Sequence, residues 1–187
     1  MATENNGRSG YGELPSVAVV LRAFREPVES IRTDHRVLEA AHQLAQCHEL
    51  RRSAHQDAHA PDAPSSHVAA CSHLLEDIDA DRAKLIARID NWVAENIPHR
   101  RGASLHTETL GAVIDRMAEK WVAAQHAIGL PARNGNGNGK RARATVITRR
   151  GVDGEAHLQW VRLAELADGY KDLITDVIEH RRRLPVF

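Results

Sequence analysis

Residues 107–128 read TETLGAVIDRMAEKWVAAQHAI, and this stretch decides the fold. Leu110, Val113, Ile114, Met117, Trp121, Ala124 and Ile128 recur every three or four residues. That spacing collects side chains on one face of a helix, which turns about 100° per residue. Thr107 or Thr109 can cap the helix, with Glu108 beside its positive end. Gly129 and Pro131 end it. Such a helix has one apolar face and needs neighbours to cover it.

Neighbours with the same pattern flank it on both sides. Upstream, a helix that Ser65 or Ser66 can cap is predicted to run to about Ile97, stopped by Pro98, with Cys71, Leu74, Leu75, Ile78, Leu85, Ile89, Trp92 and Val93 as its stripe. Another runs from Ser30 or Asp34 to about Ala58, marked by Val37, Ala41, Leu44 and Ala45. A short helix opens at Pro15-Ser16 and closes at Pro27, with Val17, Val20, Leu21 and Phe24 at helical spacing. Downstream, Trp160, Leu163, Ala167, Tyr170, Ile174, Val177 and Ile178 line a helix from about Glu155 to about Arg183. Four long amphipathic helices bury their stripes against one another. The fold expected is therefore all-α, a four-helix bundle with a short extra N-terminal helix. Trp92, Trp121 and Trp160 are each expected to be buried.

The organisation expected along the chain follows. Residues 1–14 read as a disordered leader and 15–131 as the first four helices. Residues 132–154 read as a flexible basic linker, and 155–187 as the last helix of the same domain. The linker contains Asn134 to Gly139, where Asn and Gly alternate, and a short extended stretch at Thr145 to Thr148.

Composition narrows the function classes. The chain has 187 residues with 25 Lys+Arg and 25 Asp+Glu, so its formal net charge is zero. That argues against a dedicated nucleic-acid binder and leaves at most weak contact through Arg133, Lys140, Arg141, Arg143, Arg149 and Arg150. A hydrophobic content of 42% argues against global disorder. No apolar run approaches a membrane span, and the polar N-terminus lacks the apolar core of a signal peptide, so a soluble cytoplasmic protein is expected. Cys47 and Cys71 fall inside helices and read as small core residues rather than a disulfide framework. No organic-cofactor motif, phosphate loop, GxSxG or HExxH is present.

Polar groups sharing an apolar face are the informative ones. On the second helix, His48, Arg52 and His55 project with Val37, Ala41 and Leu44; on the third, Arg82 lies between Ile78, Leu85 and Ile89. A guanidinium there keeps its charge and needs carboxylates. Asp79, Glu108 and Asp115 are the candidates by type. An internal polar ligand site of His48, Arg52, His55, Asp79, Arg82, Glu108 and Asp115 is thus one reading; a satisfied core histidine and an arginine reaching the bundle edge is the other. A second stripe, His35, Glu39, His42, Gln46 and Glu49, contains the Glu-x-x-His spacing of di-metal bundles, and Glu119 and His126 align on the fourth helix. Glu39, His42, Glu119 and His126 form a possible divalent-metal set. A di-iron bundle needs a second Glu-x-x-His, which is missing, so solvated faces are expected instead.

From Leu74 to His126 the chain resembles a bacterial family of uncharacterised helical proteins, domain of unknown function 4254. The resemblance rests on Ile78-Asp79, Arg82 and Ile89-Asp90, on Thr107-Glu108-Thr109 with Ile114-Asp115-Arg116 and His126, and more loosely on His48, Glu49 and Arg52. The family's Pro after the cap is Leu110 here, and its Trp before the second-helix His is Cys47. The resemblance implies a helical cytoplasmic bundle and supplies no activity. The function expected is non-catalytic binding of a partner, including a second copy in a homodimer, or of a small molecule. The alternative is a metal-dependent or acid/base enzyme using a His/carboxylate cluster.

Overall fold

The computed structural model describes residues 13–27, 35–98, 100–129 and 149–185. The elements run α1 (Val17–Arg25), α2 (His35–Ala58), α3 (Ser65–Asn96), β1 (Ser104–Leu105), α4 (Leu110–Ala127), α5 (Arg149–Ile178) and β2 (Arg182–Arg183). The protein is all-α: the described residues form four long helices, one short N-terminal helix and a minimal parallel pairing of β1 with β2.

Helix α4 is the hub, packing against α1, α2, α3 and α5. Leu110, Val113, Ile114, Met117, Trp121 and Ala124 are all buried, as its spacing predicts. They meet Val37 and Leu44 of α2, Ile89 and Trp92 of α3, and Leu163, Tyr170 and Ile174 of α5 in one core. Phe24 of α1 closes that core over Trp121, with ring centroids 6.1 Å apart.

The start of α4 is fixed twice. The Thr109 hydroxyl accepts from the Ala112 N–H at 3.1 Å, and the Asp90 carboxylate of α3 accepts from the Gly111 N–H at 2.8 Å. These are two of the N–H groups that a helix start leaves unpaired. A Cβ on Gly111 would lie 2.6 Å from the Ile86 carbonyl oxygen, so glycine is what permits this close approach to α3.

Several expectations change. Leu14, the last residue of the expected leader, is buried and belongs to the core, and the buried Tyr170 hydroxyl donates to the Pro15 carbonyl at 2.8 Å. Pro64, not a serine, precedes α3, and no side chain caps that helix. Leu74 and Trp160 are exposed at 47% and 38%. Among the described residues α3 packs chiefly on α2 and no neighbour buries Leu74, while α5 packs chiefly on α4 and leaves Trp160 at its margin. Ile178, at the last turn of α5, is also exposed. Helix α5 starts at Arg149 rather than near Glu155 and runs through Gly151 and Gly154, because a glycine inside a helix costs only about 1 kcal/mol. The Asn134–Gly139 repeat, Thr145–Thr148, Arg133, Lys140, Arg141 and Arg143 lie outside the described residues, as do the side chains of Arg149 and Arg150.

Candidate functional site

The inner face of α2 changes character along its length. Val37, Ala41 and Leu44 are buried among apolar neighbours, and the next residue on that face is His48. Its imidazole is 6% exposed, and Nε2 lies 2.8 Å from Asp115 Oδ1 of α4. A carboxylate only accepts, so Nε2 carries the proton and Nδ1 is left as the second nitrogen.

Arg82 reaches the same carboxylate from α3. Its Nη2 donates to Asp115 Oδ2 at 2.7 Å and its Nε to Oδ1 at 3.2 Å, a two-pronged grip. Its Nη1 donates to Asp79 Oδ1 at 2.7 Å, and Arg51 Nε of α2 donates to that oxygen at 3.1 Å. Arg51, Asp79, Arg82, Asp115 and His48 thus form a continuous chain across three helices. Two guanidiniums balance two carboxylates: His48 and Asp115 form the buried end, and the chain reaches solvent at Asp79 and Arg51.

The electrostatics follow from the contacts. Burial pushes the Asp115 carboxyl up, but hydrogen bonds from His48 and Arg82, with their charges, outweigh it and hold the group below the usual carboxylate range. Slight burial likewise acts against ionised Asp79, and Arg82 and Arg51 overcome it, keeping its pKa low. The Asp115 hydrogen bond raises Arg82 further, against its partial burial. Asp90 differs: burial dominates and raises it, although the Gly111 N–H and the Thr109 hydroxyl favour the ionised form.

Beside this chain lies an open cleft of about 330 Å³ between α2 and α4. His48, Arg51, Arg52, His55 and Gln56 line one wall, and Glu119, Val122 and Ala123 the other. Arg52 and His55 make no side-chain ion pair or hydrogen bond among the described residues. The cleft therefore offers cationic donors on α2 and one carboxylate on α4.

Of the residues expected to form an internal site, the structure brings His48, Asp79, Arg82 and Asp115 into one network and places Arg52 and His55 in the cleft next to it. Glu108 is not with them. It precedes α4 and pairs with Arg116 at 2.6 Å. Sequence reasoning missed Arg51, Gln56 and the α4 wall. Arg51 follows His48 by three residues and so could have been placed on the same face. Glu119 had been assigned to a metal set, yet it lies one turn beyond Asp115.

That metal set is dispersed. Glu39 pairs with Arg88, and His42 Nδ1 donates to the Ala23 carbonyl at 2.8 Å while its Nε2 meets Gln46. His126 Nε2 sits 2.7 Å from Glu49. Among the described residues, no group of three or more His, Cys, Asp or Glu side chains converges to hold a metal ion. Nor is the α2 stripe a solvated face, as expected: Glu39, His42, Gln46 and Glu49 are half-buried, because α1, α3 and α4 supply partners for them. The His35 side chain lies outside the described residues.

Fold and site together define a class: an all-helical bundle with a His–Asp–Arg chain through its interior and a polar cleft beside it. The family model for proteins of unknown function DUF4254 matches residues 38–186, and the chain belongs to that family. The whole network and cleft fall inside the matched span. Neither the curated proteins nor the solved structures yielded a match. Among the described residues, no helix is long and apolar enough to cross a membrane.

Proposed function

We propose that this protein binds a small anionic molecule, a carboxylate or phosphate monoester, in the cleft between α2 and α4. The observation that carries the reading is the pair Arg52 and His55, cationic or cation-capable groups that line the cleft with no ion pair or side-chain hydrogen bond of their own among the described residues; the His55 ring lies tilted to that of His59, with centroids 6.4 Å apart. An anion supplies the acceptors they lack. Glu119 on the opposite wall selects a ligand that also carries a hydroxyl or amine. The Arg51–Asp79–Arg82–Asp115–His48 chain holds the α2 wall in place behind it.

The test is thermal stabilisation by a panel of small carboxylates and phosphomonoesters. Binding at a hundredfold excess over Kd adds about 2.7 kcal/mol to folding stability. The double variant Arg52→Ala/His55→Ala is expected to keep its fold and lose that stabilisation. A panel without a hit, or one in which every hit survives the double variant, contradicts the proposal.

One observation favours a second reading, acid/base catalysis in the same cleft. Asp115 fixes the His48 ring through Nε2, which leaves Nδ1 as a base of set orientation. If this holds, His48→Gln still binds the ligand, and turnover of that ligand by the wild type, followed by NMR, disappears in the variant.

A further inference from the structure

A second basic constellation sits where α5 ends, and its lining shares no residue with the α2/α4 cleft. The His180 N–H donates to the Val177 carbonyl at 3.1 Å and the Arg181 N–H to the Asp176 carbonyl at 2.8 Å. Those two bonds make a Schellman ending, and His180 holds its left-handed position at φ 60°. Glycine takes that position at no steric cost; a residue with a Cβ does not. Here the sequence keeps an imidazole at a backbone position that disfavours it.

That imidazole lines a crevice together with Arg100, Arg182 and Arg183. Among the described residues no carboxylate lines it, and the rest of that lining is apolar, Val93 and Val177 included. Two backbone bonds pin the basic strand to the α3–α4 loop: Ser104 N–H to the Arg181 carbonyl at 3.1 Å, and His106 N–H to the Arg183 carbonyl at 2.9 Å. The nearby acids are engaged beside the crevice. Asp176 holds Arg181 and, at 3.4 Å, Arg182, while Glu179 pairs with Arg181. Arg100 makes no ion pair among the described residues. Burial and the adjacent Arg182 charge also hold the His106 imidazole below its ordinary pKa, in keeping with a positive local field.

We propose that the mouth of this crevice binds a phosphate group through Arg100, His180, Arg182 and Arg183. Enclosed free space is only about 10 Å³, so the phosphate sits at the basic rim and the body of its carrier stays outside. Arginine forks and an imidazole suit a dianion with several acceptor oxygens. The carrier is either a free phosphomonoester or a lipid headgroup, and both present the same chemistry.

The strained backbone supplies a test that unfolding cannot imitate. His180→Gly relieves the left-handed position and is expected to raise Tm by about 2–4 °C. The same variant is expected to weaken phosphate binding about tenfold, the factor that 1.4 kcal/mol of lost interaction represents. Calorimetric titration with inorganic phosphate and glycerol phosphate measures the free form. Co-sedimentation with phosphatidylcholine vesicles doped with phosphatidic acid measures the headgroup. Both arms are run in the Arg52→Ala/His55→Ala background, which silences the α2/α4 cleft; saturable binding there, weakened by both Arg100→Ala and His180→Gly, supports the proposal and identifies the carrier. No binding in either arm overturns it. So does full binding by His180→Gly in that background, or binding seen only while Arg52 and His55 are intact, which places the phosphate in the other cleft.

Discussion

Replacing Arg82 with alanine is the sharpest perturbation of the buried network. Asp115 would lose two of its three hydrogen bonds, those from Nε and Nη2, and keep only the one from His48. The Asp115 side chain is 12% exposed and cannot recover those bonds from bulk water. Breaking a fully buried pair costs about 3–5 kcal/mol. The Arg82 side chain is 21% exposed, which screens part of its charge and brings the expected cost below that range, to about 2–3 kcal/mol. For a chain of this size that is a Tm loss of about 4–12 °C. Urea and thermal denaturation read by circular dichroism and by the fluorescence of buried Trp92 and Trp121 measure it. Arg82→Met/Asp115→Leu should cost less than Arg82→Ala alone, because no charge is left stranded. A cost within about 0.5 kcal/mol for Arg82→Ala would show the guanidinium to be solvated and would refute the network as a structural element.

Other substitutions probe separate contacts. Gly111→Ala is expected to destabilise by about 1–3 kcal/mol, despite the better helix propensity of alanine, because the new Cβ meets the Ile86 carbonyl; chemical denaturation reads the sign directly. Trp121→Ala should cost about 3–5 kcal/mol by removing the ring that Phe24 packs on; a cost near zero would mean α4 is not the hub. The pH dependence carries opposite signs at two aspartates. The depressed Asp115 pKa gives stability that is present above the unfolded-state value near 3.9 and lost as pH falls through the folded value, so Asp115→Asn flattens the acid limb of a stability profile. Asp90 has a raised pKa, so its ionised form weakens the fold at neutral pH, and that cost disappears as acid protonates it. Asp90→Asn is therefore expected to be near neutral or stabilising at pH 7, and Asp90→Ala, which also removes the acceptor for the Gly111 N–H, destabilising.

The helices were legible because each carries its own periodicity. The pattern of α4 placed Ile114, Met117 and Trp121 in the core, and Arg82 could be paired with a carboxylate because a guanidinium amid Ile78, Leu85 and Ile89 requires one. Choosing among Asp79, Glu108 and Asp115 needed tertiary geometry: Glu108 has the right chemistry but precedes the helix and faces Arg116. The His42 stripe looked solvated because a single-helix projection does not show that α1 lies across it. The cleft was out of reach for the same reason. Its walls belong to α2 and α4, and how two helices diverge is set by the packing around them. The turn from apolar to basic along the inner face of α2, at His48, was the trace of it in one dimension. Trp160 misled in the other direction, since an aromatic at helical spacing is buried only where a neighbouring element covers it.

The claim that the α2/α4 cleft receives an anion is tested most directly by NMR of the protein labelled with ¹⁵N at its histidine rings, titrated with the small carboxylates and phosphomonoesters that stabilise it. The account predicts saturable shifts at His55 and at Nδ1 of His48, with His42 and His126 unmoved because Ala23, Gln46 and Glu49 already engage them. Shifts confined to His180 and His106, or none at His48 and His55 at saturating ligand, would contradict it.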